Sequence, residues 1–163
     1  MKYGKGNNIP STENGIYPVY GANGIVSYFD EYNNENSAIV GHIGSVGNVI
    51  WGDGKHFVTY NGTIIKGLKN ITNDKFIYYL LSSMKLHQYQ KGSQPFLSIS
   101  DFSDIECILP SLETQNKIVE ILDTFDTMCN NLKIGLPAEE ARRQQQYEYY
   151  RNLIFDKLSD KNN

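Results

Sequence analysis

Glycine divides this chain in two: thirteen of the fourteen glycines lie before residue 93, and only Gly135 lies after it. Glycine serves tight turns and close backbone approaches, but in a helix interior it costs about 1 kcal/mol relative to alanine. The first part therefore reads as strands and turns, and the second as helix. Charge divides at nearly the same place. Residues 1–100 hold eight Lys and six acidic residues, a net of +2, and residues 101–163 hold seven basic and twelve acidic residues, a net of −5. The overall −3 excludes a chain that coats nucleic acid by bulk positive charge. It leaves room for a local DNA-binding face, because a total is silent about distribution. The 163 residues suit one domain with a sizeable core and a short appendage.

In the first part, short apolar runs are punctuated by turn residues. Gly15 to Gly21, Gly24 to Phe29 and Ala38 to Val40 read as strands, with a polar loop at Asp30 to Ser37. Asn48 to Trp51 and Phe57 to Tyr60 read as two strands joined by a hairpin turn at Gly52-Asp53-Gly54, and Thr63 to Lys66 as another. Asn73 or Asp74 caps a helix from Lys75 to about Tyr89, with Phe76, Ile77, Leu80, Leu81 and Met84 as its apolar stripe. Residues 90–98 form a loop, and Ile105 to Leu109 read as a last strand before Pro110. The expected fold is α+β: a small mixed, strongly twisted, partly barrel-like sheet with a packed helix, over residues 1–110.

Residues 111–160 have a different period. Ile118, Leu122, Phe125, Cys129, Leu132 and Leu136 recur at alternating spacings of four and three, a heptad seam. Pro137 interrupts it or opens a new helix, and Tyr147, Tyr150, Ile154 and Leu158 resume it in a shifted register. Two long helices, or one kinked helix, follow, each about 30 Å long at 1.5 Å per residue. They either fold back as an amphipathic cover or extend as a coiled-coil-like arm that meets another helix pair.

Motifs for chemistry are sparse. Gly41-His42-Ile43-Gly44-Ser45-Val46-Gly47 lacks the Gly-Lys-Ser/Thr of a P-loop and the dinucleotide spacing, so a tight turn is the plainer reading. His42, His56 and His87 are scattered, and no metal site is expected. Ser45, His42 and Asp53 could be assembled on paper into a hydrolytic triad, but sequence proximity supplies no geometry. Cys107 and Cys129 form no CxxC pair, and reduced cysteines fit a cytoplasmic protein. No apolar run approaches the roughly 18 residues of a membrane span, and the start has no hydrophobic signal stretch.

Neutral hydrogen-bonding groups are plentiful beside the turns. Lys5, Asn7 and Asn8 occupy a polar loop, and Tyr20, Asn23, Tyr28 and Ser45 lie at or near turns. Tyr60, Asn61 and Thr63 bring an aromatic, an amide and a hydroxyl together. The segment from Lys85 to Phe96 adds Gln88, Gln90, Lys91, Ser93 and Gln94. Asn and Gln can pair with adenine, hydroxyls with several base edges, and Lys with phosphate. These residues are the candidate DNA contacts.

Gln146 to Arg151, with Pro137-Ala138-Glu139-Glu140 before it, resembles the specificity subunits of type I restriction–modification systems. Leu109 to Val119 resembles their sheet-to-spacer junction, and Ile118 to Leu136 their conserved helical spacer. Ile9-Pro10, Tyr17 to Gly24, Gly44 to Gly47, Asn61 to Thr63, Phe76 to Leu81 and Gly92 to Pro95 resemble successive parts of the target recognition domain. The resemblance implies a non-catalytic reader of double-stranded DNA that directs modification (methyltransferase) and restriction subunits. It implies no cofactor on this chain, since S-adenosylmethionine, ATP and Mg serve the partner subunits. One recognition domain and one spacer are half of the usual subunit, and the family's domains usually carry a longer segment ahead of the Lys5-Gly6 region. A homodimer of half-subunits, joined by the spacer seam, would present two identical readers to a palindromic split site. His42 stands where the family often carries a basic residue. The alternative is a helix-mediated interaction protein, or a truncated remnant, without productive DNA binding.

Overall fold

The computed structural model describes residues 1–6, 8–90, 96–131 and 137–160, and the backbone alone at 130, 131, 137–141 and 160. Its strands are β1 (Lys2–Tyr3), β2 (Tyr17–Gly21), β3 (Gly24–Phe29), β4 (Asn34–Gly41), β5 (Val49–Val58) and β6 (Gly62–Ile65). They form one sheet in the order β1-β6-β4-β5-β2-β3. The sheet is mixed: β2 and β5 run parallel, with Val19 opposite Phe57, while the other neighbours are antiparallel.

The pleat sorts the core onto two faces. Ala38 and Val40 of β4 join Ile65, Leu86, Leu97 and Phe102 on one face. Ile39, between them, joins Tyr20, Val58 and Ile64 on the other. The sheet coils tightly enough that a Cβ at Gly62 would lie 2.8 Å from Val58 and 2.9 Å from Ile39.

Three sequence expectations are corrected. Gly52-Asp53-Gly54 is not a hairpin turn but part of one continuous strand, β5. The ladder slips opposite it, between Glu35 and Ser37, and Gly54 takes a φ of +53°. Its N–H donates to Asn36 Oδ1 at 2.7 Å, so the glycines form a bulge that bends the strand. The helix expected to reach Tyr89 ends earlier. In α1 (Asp74–Ser83) the hydroxyls of Ser82 and Ser83 donate back to the carbonyls of Tyr78 and Leu80, and Met84 turns extended. A 3-10 turn, Leu86–Tyr89, follows. Ile105 to Leu109 forms no strand. The edge of β6 is already taken by β1.

Asn73 caps α1 by accepting from the N–H groups of Lys75 and Phe76 at 2.8 and 3.2 Å. The other helices are α2 (Ile99–Phe102), α3 (Leu112–Asn131) and α4 (Pro137–Asp160). Pro137 thus opens a helix, where its missing N–H costs nothing. The arm does not stand clear of the sheet domain. α3 runs along α1 in the same direction: Gln115 meets Asn73, and Asp123 meets Lys75 and Tyr79. α4 runs the opposite way, with Phe155 against Phe76. Phe76, Tyr79, Leu80, Ile118, Leu122, Tyr147 and Phe155 form one buried cluster, with Cys129 and Ile154 at its margin. Ile118, Leu122 and Tyr147 are therefore spent inside the chain, which corrects their expected place in an intermolecular seam. Heptad spacing defines an apolar stripe but not the helix it meets. Phe125 and Tyr150 remain exposed and stack with ring centroids 6.3 Å apart. Leu132 and Leu136 lie outside the described residues.

Gln115 latches the junction. Fully buried, it accepts from Asn73 N–H at 2.8 Å and donates to the carbonyls of Ile71 and Pro110 at 3.0 and 2.8 Å. Gln115→Leu strands these three groups, and each buried unmet group costs about 1–3 kcal/mol. A destabilisation of about 3 kcal/mol is expected in urea unfolding; an unchanged midpoint would mean that the latch carries no load.

Candidate nucleic-acid interface

Five separate segments meet at one end of the sheet. Gly41 donates its N–H to Asn48 O and accepts from Gly47 N–H, both at 2.8 Å, which closes the glycine-rich β4–β5 turn. Asn48 Nδ2 reaches from that turn to the β2–β3 turn, donating to Ala22 O at 3.1 Å and Asn23 Oδ1 at 3.4 Å. His42 N–H donates to Asn61 O at 3.0 Å, which ties in the β5–β6 turn. His42 O accepts from Leu97 N–H at 3.1 Å, which ties in the segment before α2. The chain after β1 joins through Gly4 N–H to Gly62 O at 2.8 Å and Lys5 N–H to Val58 O at 3.0 Å. The 3-10 turn is adjacent, since a Cβ at Gly47 would lie 2.5 Å from His87 N.

This end presents Lys5, Asn8, Asn23, Tyr60, Lys85, Gln88 and Gln90 on the surface, with Ser45 and Asn61 half-buried. Two sequence-derived candidates are corrected. Tyr20 is 8% exposed and Thr63 0%, so neither offers a contact surface. Tyr20 packs with Ile39, Val58 and Ile64 on one face of the sheet, and Thr63 Oγ1 is turned to the buried His42 ring. Tyr28 is exposed but pairs with Pro18, at the far end of β3 from the Gly21–Gly24 turn. Asn7, Lys91, Ser93 and Gln94 lie outside the described residues.

The residues that sequence reasoning missed organise the turns. Tyr3 and Phe96 flank the His42 ring at 4.8 and 5.6 Å between centroids. His42 Nδ1 pairs with Thr63 Oγ1 at 3.1 Å. No hydrogen bond among the described residues joins His42 to Ser45 or Asp53, and Asp53 instead accepts from Trp51 Nε1 at 3.2 Å. The triad arrangement is thus not built. Among the described residues no group of three His, Cys, Asp or Glu could hold a metal, and no helix is long and apolar enough to cross a membrane.

His56 is the second buried imidazole. Its Nδ1 pairs with Gly54 O at 2.9 Å and its Nε2 with Ser37 Oγ at 3.2 Å. Burial pushes the pKa of both His42 and His56 below the ordinary value. The unfolded chain therefore takes up protons that the folded chain refuses. Their contribution is complete above about pH 6.5 and is lost as pH falls through the lowered folded values. The melting temperature is expected to fall between about pH 7 and about pH 5, and less so in His56→Gln. An identical pH profile in that variant would contradict a neutral, buried His56.

An end assembled from the turns of several strands, on a domain bolted to two helices, presents a shaped polar surface. The chain belongs to the type I restriction modification DNA specificity domain family, whose model matches residues 2–139. A Mycoplasma pneumoniae protein described as a type I specificity subunit is 31% identical over 156 residues, covering 90% of this chain and 51% of its own length. The Escherichia coli type I restriction enzyme EcoprrI specificity subunit is 32% identical over 123 residues, covering 74% and 30% respectively. This chain thus spans about half, or less, of the relatives it matches. A type I restriction-modification S subunit crystal structure from M. genitalium shares the fold with a TM-score of 0.65 at 23% identity, over 82% of this chain and 37% of that one.

Proposed function

We propose that this chain is a non-catalytic reader of double-stranded DNA sequence within a type I restriction–modification complex. The convergence of five segments at one end carries the reading, because groove readout needs several polar groups held in fixed relative positions. Lys5 and Lys85 serve the phosphates, and Asn8, Asn23, Ser45, Tyr60, Gln88 and Gln90 serve base edges and sugars. The helices dock modification subunits, and restriction subunits join through that complex. S-adenosylmethionine, ATP and Mg belong to those partners. The complex works in the cytoplasm.

Two copies of the chain pair through their helices. Support comes from the stripe of Ile121, Phe125 and Met128 on α3, all exposed and spaced four and three apart, beside exposed Tyr149 and Tyr150 on α4. This stripe replaces most of the seam expected from the heptads. A two-fold pair of readers favours a palindromic split site.

Selection from a pool of random duplexes tests the function. The protein is expected to enrich one sequence and to hold it more tightly than random DNA, with affinity falling as salt rises. A pool that stays random would support a helix-mediated interaction protein instead.

A further inference from the structure

Four chain segments close on His42. It lies where β4 gives way to the glycine-rich turn, and it is 4% exposed. Its backbone N–H is spent on Asn61 of the β5–β6 turn and its carbonyl on Leu97 ahead of α2. Its ring packs edge-on against Tyr3 of β1 and Phe96 before Leu97, and its Nδ1 pairs with Thr63 of β6. A histidine that merely filled core space would touch other core residues. Tyr3 and Phe96 are instead 43% and 38% exposed, so the buried ring sets the position of side chains that themselves form the surface. Tyr3 is fixed from a second side, its hydroxyl accepting from Ile99 N–H at 3.1 Å.

We propose that His42 is the positioning residue of the DNA-reading end: its buried ring, clamped by Tyr3, Phe96 and Thr63, seats the residue whose backbone N–H holds the β5–β6 turn and whose carbonyl holds the Phe96–Leu97 segment. The proposal rests on the DNA-reading function above. It makes the sequence preference of this chain depend on a side chain that touches no DNA. Position 42 requires a planar polar group that can meet Thr63 Oγ1 from the place of the imidazole Nδ1. An amide can serve Thr63 Oγ1 as donor or acceptor, whereas an aliphatic side chain leaves that hydroxyl without its partner.

The test uses the full chain with His42→Leu and His42→Asn, read by amide hydrogen exchange and by duplex selection. His42→Leu is expected to speed exchange in the two turns and at Leu97 by about tenfold while the β4–β5 ladder stays protected. It is expected to weaken the preference for the enriched duplex over random DNA by about tenfold. His42→Asn is expected to restore both to within about threefold of the parent. If His42→Leu does not fold, Thr63→Val, which removes only the hydroxyl, is expected to move both readouts in the same direction. Unchanged exchange in those segments, or equal losses in the leucine and asparagine variants, would overturn the role of His42. A parent chain that enriches no sequence contradicts the reading function itself, and the exchange data then decide whether His42 holds the turns.

Discussion

Leu122→Ala is expected to destabilise the protein by about 2–5 kcal/mol, the usual cost of emptying a fully buried leucine site. Leu122 is 0% exposed and sits in the cluster that α3 and α4 make with Phe76, Tyr79 and Leu80 of α1. Its buried residues differ from those of the two clusters that fill the sheet, and it meets one of them through Ile77, Tyr78 and Met84. The loss therefore falls on the joint between helices and sheet domain. Hydrogen exchange in α3 and α4 is expected to rise before exchange in β4 and β5 does. The polar contacts across the same joint cannot compensate. Lys75 meets Asp123 at 2.9 Å, with both side chains about one-third exposed, and an ion pair in that setting is worth about 1 kcal/mol or less. Tyr79 donates to the same carboxylate at 2.5 Å, and its pKa is raised, chiefly by burial. Uniform loss of protection across the whole chain would mean that sheet and helices form one cooperative unit.

Gly41→Ala is expected to act at the opposite end and in the opposite manner. An added Cβ would lie 2.3 Å from Ser45 O, 2.7 Å from Ala22 O and 3.1 Å from Ala22 Cβ. These atoms are backbone or Cβ, so none can rotate away. The glycine-rich turn and the β2–β3 turn must move apart. Overpacking of this kind costs about 1–3 kcal/mol. The larger effect is on the proposed reading, because Asn48 bridges those two turns. Preference for the selected duplex is expected to fall more than tenfold while the far-UV spectrum is kept, a loss of about the size of a mismatched base pair. In Leu122→Ala, stability falls and the turns keep their positions. In Gly41→Ala, the fold persists and the preference is lost. Unchanged duplex preference in Gly41→Ala would remove the turn cluster from the DNA-reading role.

Much of this architecture was legible in the residues. Short apolar runs between turn residues marked β2, β3, β6 and the last part of β4, whose start at Asn34 to Ser37 reads as loop because its residues are polar. Asn73 marked the start of α1, and Pro137 the start of α4. What escaped was set by distant partners. β5 read as two strands because Gly52-Asp53-Gly54 normally turns a chain, and only its pairing with β4 shows a bulge. β1 is two residues long and exists through its partner β6. Tyr20 and Thr63 looked available because they adjoin turns, yet Tyr20 packs onto Ile39 and Val58 and Thr63 meets the buried His42 ring. The heptads correctly announced a helical seam, and the chain itself supplies its partner, α1. Nothing in the spacing of its neighbours sets Gln115 apart, because its partners Asn73 and Ile71 are distant in sequence. His42, read as a weak departure from a family motif, is where the turns close.

The most direct measurement is methylation mapping. The chain would be produced together with a type I modification subunit, and the methylated bases located across a genome. If this chain reads DNA for that enzyme, methylation is confined to one recurring sequence made of two separated, symmetry-related halves, and Gly41→Ala abolishes it. Methylation that is absent with the parent chain, or scattered without a common sequence, would contradict a DNA reader.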